Sequence, residues 1–199
     1  YARFAFERGD WNRADDLAQQ SLKRDPRLID AMLVQAELHE RRNQLPQSLA
    51  AFQAVRKHHE GNFEARLGQA RVMAAMGMRD DALALAKDLQ SEAPKSAEVA
   101  AIRAEVAAQA KDWKSVRSTL QAFEKELPGL AKPAVLYAEA LIELRLPAQA
   151  LTYLAPQFER QPSWRKVRVL YARALVESGE KQRALAVIQP LVDRPDAAP

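Results

Sequence analysis

Residues 9–26 read GDWNRADDLAQQSLKRDP, and the spacing of the small residues in this stretch recurs along the chain. Ala14 lies twelve residues after Ala2, and both positions repeat at intervals of 34 residues. A fixed period of this length is typical of stacked supersecondary units. The first ladder is Ala2, Ala36, Ala70, Ala104, Ala138 and Ala172, and the second is Ala14, Ser48, Ala82, Val116, Ala150 and Ala184.

Each repeat reads as a pair of helices, because its apolar residues recur at spacings of three and four. Prolines such as Pro26 and Pro94 follow the second helix and end it, since proline cannot continue the hydrogen-bond pattern. Ser96 and Ser163 stand where an N-cap of the next helix is expected. We predict twelve helices, at residues 1–8, 11–24, 28–42, 45–58, 62–76, 79–92, 96–110, 113–126, 131–144, 147–160, 164–178 and 181–193.

One position between the two helices of each repeat calls for a left-handed backbone. Glycine or asparagine takes that conformation readily and ends a helix there. Lys111 and Arg145 must adopt it at a cost or end their helices differently. The six residues are Gly9, Asn43, Gly77, Lys111, Arg145 and Gly179.

The pattern resembles the tetratricopeptide repeat over essentially the whole chain. The best match runs from Gly9 to Pro26, and a second runs from Ala70 through Gly77 to Pro94. The family's usual tryptophan and tyrosine in the first helix are replaced, for example by Met32 and His39, as in a divergent bacterial array. The resemblance implies an all-α, right-handed α-solenoid of antiparallel helix pairs.

We expect a single domain over residues 1–199, with about five full repeats and one partial repeat. The chain lacks a starting methionine and begins within a repeat, which indicates a fragment of a longer protein. The predicted repeats span 1–28, 29–62, 63–96, 97–130, 131–164 and 165–199.

Composition excludes several classes of function and leaves the compartment open. The absence of cysteine removes disulfides, thiolate metal sites and cysteine catalysis. The net charge of +4 is too small to argue for nucleic acid. No apolar run reaches the ~20 residues that cross a bilayer. We therefore expect a soluble segment, in a bacterial cytoplasm or periplasm.

No arrangement in the sequence predicts catalysis, a cofactor or a metal site. His58 and His59 are adjacent and point in different directions on a helix, and His39 occupies a core-side position that suits packing or hydrogen bonding. The phosphate-binding loop, the zinc-binding histidine pair and the nucleophile elbow are all missing. We predict a protein that is not an enzyme.

The resemblance implies that five positions of each first helix face a concave groove, and it places the candidate binding residues there. The family members that clamp a carboxy terminus use lysine and asparagine where this chain has apolar residues, glutamate or arginine, so that activity is disfavoured. Glu105, Glu139, Glu143 and Glu177 are predicted to form an acidic patch edged by basic residues. The candidates for partner binding are Glu37, Arg71, Glu105, Lys132, Glu139, Glu143, Lys166, Tyr171, Arg173 and Glu177.

The expected function is a non-catalytic scaffold that binds a segment or domain of another protein. Similar divergent arrays occur in bacterial envelope and exopolysaccharide-export assemblies, which is the context we predict. The alternative is direct binding of a polysaccharide or nucleic acid in the groove, with nucleic acid the weaker of the two. An ordinary mixed-charge surface also accounts for the acidic patch.

Overall fold

The computed structural model describes residues 1–193, and every regular element within that range is helical. Two short 3₁₀ turns, Gln121–Phe123 and Leu127–Gly129, follow the eighth helix. The α-helices are α1 Ala2–Glu7, α2 Trp11–Arg24, α3 Ile29–Arg41, α4 Leu45–His58, α5 Phe63–Ala75, α6 Arg79–Glu92, α7 Ala97–Gln109, α8 Trp113–Leu120, α9 Ala131–Glu143, α10 Pro147–Arg160, α11 Arg165–Glu177 and α12 Lys181–Val192.

The predicted all-α fold is confirmed, and one helix end is wrong. The second helix of the fourth repeat was expected at 113–126, but α8 ends at Leu120. Beyond Leu120 the chain winds more tightly into two 3₁₀ turns, and Leu127 of the second turn is fully buried in the core. The sequence carries no signal for a break as early as Leu120.

The residues group into two compact units, Tyr1–Val106 and residue 107 onward, which we call the N-terminal and C-terminal units. The boundary falls within α7. The single domain expected over 1–199 stays a prediction.

Both small-residue ladders are buried, as expected for positions where helices approach closely. Ala36 and Ser48 show how the ladders meet, because the Ser48 hydroxyl donates a hydrogen bond to the Ala36 carbonyl at 2.8 Å. Because the Ala36 carbonyl accepts this bond, the buried Ser48 hydroxyl has a hydrogen-bond partner in the core. The small side chains therefore mark the line of contact within a helix pair.

All six turn positions adopt a left-handed backbone. Lys111 has φ 57° and Arg145 has φ 58°, close to the 57° of Asn43, whereas Gly9 and Gly77 have φ 77°. Each turn is closed by two backbone hydrogen bonds of the Schellman type, for example from the amides of Lys111 and Asp112 to the carbonyls of Ala108 and Ala107. The lysine and the arginine thus accept the strained conformation rather than end their helices in another way.

The N-cap predictions succeed once and fail once. Ser96 accepts a hydrogen bond from the Val99 amide at 3.2 Å and caps α7. Ser163 does not cap α11, because the N-cap residue is Trp164. The cap position recurs every 34 residues, so Ser163 is one residue too early. The positions are Leu28, Asn62, Ser96, Leu130 and Trp164.

The core of the N-terminal unit depends on a close contact between an aromatic ring and a glycine. Phe52 of α4 is fully buried, and its ring lies where a side chain at Gly68 of α5 would stand. A Cβ atom at Gly68 would come within 2.3 Å of the Phe52 ring. Glycine is therefore required in the middle of α5 by packing and not by backbone conformation.

The core of the C-terminal unit contains tyrosines. The rings of Tyr137 and Tyr153 meet edge to face, with centroids 4.9 Å apart. The Tyr137 hydroxyl donates to the Glu124 carboxylate at 2.8 Å, whereas the buried Tyr153 hydroxyl has no hydrogen-bond partner within residues 1–193. This core mixes polar groups with its apolar packing.

Candidate partner-binding site

The first helices of the N-terminal unit are joined by ion pairs at the predicted groove positions. Arg3 of α1 donates to the Glu37 carboxylate of α3 at 2.6 Å, and its second terminal nitrogen lies 3.5 Å from Glu64 of α5. Burial opposes the charge on Arg3, but the hydrogen bond to Glu37 and the nearby carboxylates of Glu37 and Glu64 together outweigh it and raise the pKa of Arg3. Glu37, predicted as a binding residue, is thus already paired inside the chain.

Arg71 forms the stronger of these contacts. Its guanidinium donates two hydrogen bonds to the Glu40 carboxylate of α3, at 2.7 and 2.6 Å. Such a bidentate pair has fixed geometry and holds both side chains in place. Desolvation works against the charge of Arg71, yet its hydrogen bonds to Glu40 and the charge of that carboxylate raise the pKa of Arg71.

These side chains enclose a hollow of about 460 Å³ in the N-terminal unit. The guanidinium of Arg41 lies between two aromatic rings, 5.2 Å from the centroid of Phe6 and 5.3 Å from that of Trp11. Contacts of this kind hold an arginine in position and leave its N–H groups free to donate. The lining residues are Phe6, Glu37, Glu40, Arg41 and Arg71.

Arg173 organises the charges of the C-terminal unit. It donates to Glu143 of α9 at 2.8 Å and lies 3.6 Å from Glu177 on its own helix. Arg145 also lies 3.6 Å from the Glu177 carboxylate. Two of the predicted acidic residues are therefore neutralised in part by arginines that the chain supplies.

Glu139 differs from its neighbours. Within residues 1–193 no basic group lies within ion-pair distance of its carboxylate, and Lys166 and Arg173 act on it only from farther away. Burial raises the pKa of Glu139, and the nearby Glu143 adds to this effect. A half-buried carboxylate of this kind is stabilised when a basic group reaches it.

The four glutamates of the predicted acidic patch are divided between the two units. Glu105 lies on α7 in the N-terminal unit, whereas Glu139, Glu143 and Glu177 lie together in the C-terminal unit. Lys132 stands exposed at the start of α9. The acidic patch within the C-terminal unit thus comprises three glutamates.

Tyr171 packs inside the C-terminal unit. Its side chain is 7% exposed and stacks on Phe158, with centroids 5.1 Å apart. Its hydroxyl accepts a hydrogen bond from Arg183 at 3.3 Å. The ring therefore offers little surface to a ligand.

The described part of the chain carries neither a metal-binding cluster nor a membrane-spanning helix. Residues 1–193 hold no group of histidine and carboxylate side chains that suits a metal ion. The same residues form no helix with the length and apolarity needed to span a membrane. His39 makes a 2.7 Å hydrogen bond with the Gln44 side chain, which confirms its expected hydrogen-bonding role.

Residues that sequence reasoning left out of the candidate set also line the hollow. Phe6, Glu40 and Arg41 stand at predicted groove positions, but the pairing of Arg41 with Trp11 and of Glu40 with Arg71 depends on side-chain reach across helices. A signal was present in the sequence, because Glu40 and Arg71 have opposite charges on adjacent first helices.

Comparisons with known proteins agree with this architecture. Residues 43–106 match the family model described as "Tetratricopeptide repeat". A tetratricopeptide repeat protein from Parabacteroides merdae aligns over 100% of this chain and 78% of its own, with 14% identity and a TM-score of 0.65. A thermophilic member from Thermus thermophilus aligns over 88% and 95%, with 19% identity and a TM-score of 0.68.

A third solved structure is YrrB, described as a tetratricopeptide repeat protein with an unusual peptide-binding site. It covers 90% of this chain and 93% of its own, with 14% identity and a TM-score of 0.62. At these identities the likeness establishes the fold alone. A search of curated sequences returns no match.

Proposed function

We propose that this chain, a divergent tetratricopeptide repeat array, is a non-catalytic scaffold that binds a segment of a partner protein in the hollow of its N-terminal unit. The observation that carries the proposal is the hollow itself, with an aromatic wall at Phe6 and the Glu40–Arg71 pair held rigidly beside it. Concave surfaces formed by successive first helices are how repeat proteins of this type bind extended partners.

The charges of the hollow favour a peptide over the other candidate ligands. Arg3 and Arg71 are both committed to glutamates, which leaves Arg41 to contact a phosphate. The carboxylates of Glu37 and Glu40 in the same lining disfavour an anion. Tyr137 and Tyr171, the aromatic residues near the predicted acidic patch, are buried and unavailable to stack on sugar rings. A polypeptide can instead bring its own charged side chains, which replace one member of the existing ion pairs.

Exchange of the charges of the Glu40–Arg71 pair tests binding in the hollow while the ion pair is kept. Peptides selected from a random library on the purified chain should lose most of their affinity for the double variant Glu40→Arg/Arg71→Glu, which keeps the ion pair but exchanges its ends. The matched control is Glu180→Arg/Arg183→Glu, which swaps a pair on the C-terminal unit. Equal binding to both double variants, or selection of no peptide at all, would contradict the proposal.

The C-terminal unit supplies a second candidate surface, centred on Glu139. A lysine or arginine of a partner would find there a half-buried carboxylate without a direct ion pair. The variant Glu139→Lys/Glu143→Lys should weaken binding of basic peptides and leave acidic ones unchanged. If every selected peptide binds this variant as it binds the wild type, the acidic patch is an ordinary mixed-charge surface.

The setting in a bacterial envelope or exopolysaccharide-export assembly is part of the proposal. Its support is the composition of the sequence, which is rich in alanine and arginine. Identification of the partner by crosslinking from the hollow in the source cell is the measurement that tests it. A partner unrelated to the envelope would contradict this setting without touching the scaffold function.

A further inference from the structure

A second cavity of the N-terminal unit lies between the C-terminal part of α4 and the middle of α5, with a volume of about 410 Å³. Gln69 of its lining and Arg71 of the hollow stand about 200° apart around α5, so the two cavities lie on different sides of that helix. The lining combines two cations, two amides and one carboxylate, from Gln53, Arg56, Lys57, Glu60 and Gln69.

Arg56 is held in this cavity by a neutral partner. Its Nη1 donates a hydrogen bond to the Gln69 side-chain oxygen at 2.6 Å. Gln69 is 6% exposed, so the bond fixes the guanidinium against α5. The amide brings no negative charge, and Arg56 forms no ion pair within residues 1–193. The cavity therefore keeps the positive charge of Arg56 uncompensated.

One edge of the Arg56 guanidinium lacks acceptors. Its Nε–H is buried and has no hydrogen-bond partner in the described part of the chain. The edge formed by Nε and Nη2 matches the two oxygens of a carboxylate. Arg71 uses the same edge on Glu40, with bonds of 2.7 and 2.6 Å. Arg56 thus offers to a ligand the contact that Arg71 makes within the chain.

The 34-residue register shows that the C-terminal unit satisfies the same two positions by itself. The pair equivalent to Arg56 and Gln69 is first Glu124 with Tyr137, joined by a 2.8 Å hydrogen bond. One repeat later it is Phe158 with Tyr171, whose rings stack with centroids 5.1 Å apart. Neither pair leaves a positive charge, whereas the pair at the cavity does.

We propose that this cavity binds a carboxylate group, held side-on by Arg56 and contacted by Lys57. The two cations and Glu60 leave the lining with a single net positive charge, which suits a monoanion better than a phosphate dianion. A free small carboxylic acid and an acidic side chain of a partner protein both supply this group. The site is separate from the hollow and does not rest on the function assigned to it.

A titration of the 199-residue protein with glutarate, at constant ionic strength and followed by NMR, tests the site. The side-chain amide signals of Gln69 should shift saturably. An acetylated peptide amide of sequence Gly-Glu-Gly and its Gly-Gln-Gly counterpart separate the two sources. Binding of the glutamate peptide but not of the glutamine peptide indicates an acidic side chain of a partner, and binding of glutarate alone indicates a free acid.

Three variants test the roles of the lining residues. Gln69→Glu supplies a carboxylate to Arg56 from within the chain, so it should keep the fold and abolish glutarate binding. Arg56→Gln should weaken binding about tenfold or more, and Lys57→Gln about two- to fivefold. Arg24→Gln, the same charge change in the last turn of α2, should bind like the wild type.

The control also separates binding from helix stabilisation, since Arg56 and Lys57 lie in the last turn of α4, where cations favour the helix. If Arg56→Gln or Gln69→Glu binds glutarate as the wild type does, the cations only stabilise the end of α4 and the proposal is wrong. The absence of any saturable shift of the Gln69 signals up to the solubility limit of glutarate would also overturn it. Tighter binding of inorganic phosphate than of glutarate would exclude a carboxylate site.

Discussion

The two units are built on the same repeat, yet their cores are chemically different. In the N-terminal unit, Phe52 fills the space left by Gly68, and the surrounding residues are aliphatic. In the C-terminal unit, Tyr137 and Tyr153 bring hydroxyl groups into the core, and only one of the two is satisfied. The repeat determines where the helices lie, but it does not determine which side chains fill the space between them.

The difference extends to the turns. The N-terminal unit uses Gly9, Asn43 and Gly77 at its left-handed positions, which are residues that tolerate that backbone. The C-terminal unit places Lys111 and Arg145 at two of its three left-handed positions and Gly179 at the third. The first unit therefore depends on tight side-chain packing, whereas the second accepts strain at its turns and a polar group in its core.

The largest effect is expected where packing is tightest. Gly68→Ala forces a methyl group into the ring of Phe52 and should lower the free energy of unfolding by about 1–3 kcal/mol. Urea denaturation followed by circular dichroism measures it. Gly61→Ala is the control, since nothing lies within 4 Å of that position. The double variant Gly68→Ala/Phe52→Leu should recover part of the loss, and no recovery would contradict the packing argument.

Next in size is relief of strain in the C-terminal unit. Lys111→Gly should raise the free energy of unfolding by about 1 kcal/mol, because glycine adopts a positive φ without cost. Gly77→Ala in the N-terminal unit should do the opposite by a similar amount. Arg145→Gly should gain less, since it also removes the 3.6 Å contact with Glu177. A loss of stability in Lys111→Gly would contradict the explanation by backbone strain.

The two tyrosine hydroxyls of the C-terminal unit should respond differently to removal. Tyr137→Phe breaks the bond to Glu124 and should destabilise the protein by about 0.5–1.5 kcal/mol. Tyr153→Phe removes a buried hydroxyl without a partner and should be neutral or slightly stabilising. Thermal unfolding of the two variants side by side gives the comparison. Equal losses would mean that the Tyr153 hydroxyl is satisfied in solution.

The smallest expected effect concerns the ionisation of Tyr137, which changes the stability of the protein only at alkaline pH. Burial, together with the bond to Glu124, raises the pKa of Tyr137 from 10.0 to about 12. The folded protein therefore holds this proton more tightly than the unfolded chain, so the stabilisation is complete below pH 10 and is lost as the pH rises towards 12. Burial raises the pKa of Tyr153 in the same direction. The Tyr137→Phe variant should show a shallower decline in stability over this range.

Most of the fold follows from the sequence because its determinants are local and periodic. The alanine ladders, the turn residues and Pro26 or Pro94 each act within a few residues of their position. The eighth helix is the exception, since its early end at Leu120 reflects how the C-terminal unit buries Leu127. Tertiary burial of this kind has no periodic signature.

The candidate site is less predictable than the fold. The resemblance predicts that Glu37, Arg71 and Glu139 face the groove, but it does not say which of them the chain itself neutralises. That depends on the reach of long side chains between helices, as in the bidentate contact of Arg71 with Glu40. The binding roles of the predicted residues therefore stay predictions.

The Phe52–Gly68 contact also bears on how the chain avoids misfolding. A polypeptide of near-identical hairpins can slip by one repeat as it folds, since each hairpin presents a similar surface to its neighbours. One repeat away from Gly68 the chain has Val34 on one side and Ile102 on the other. A slipped α4 would drive the Phe52 ring into a branched side chain. Only the correct register pairs this ring with Gly68, so the contact disfavours the slipped arrangements.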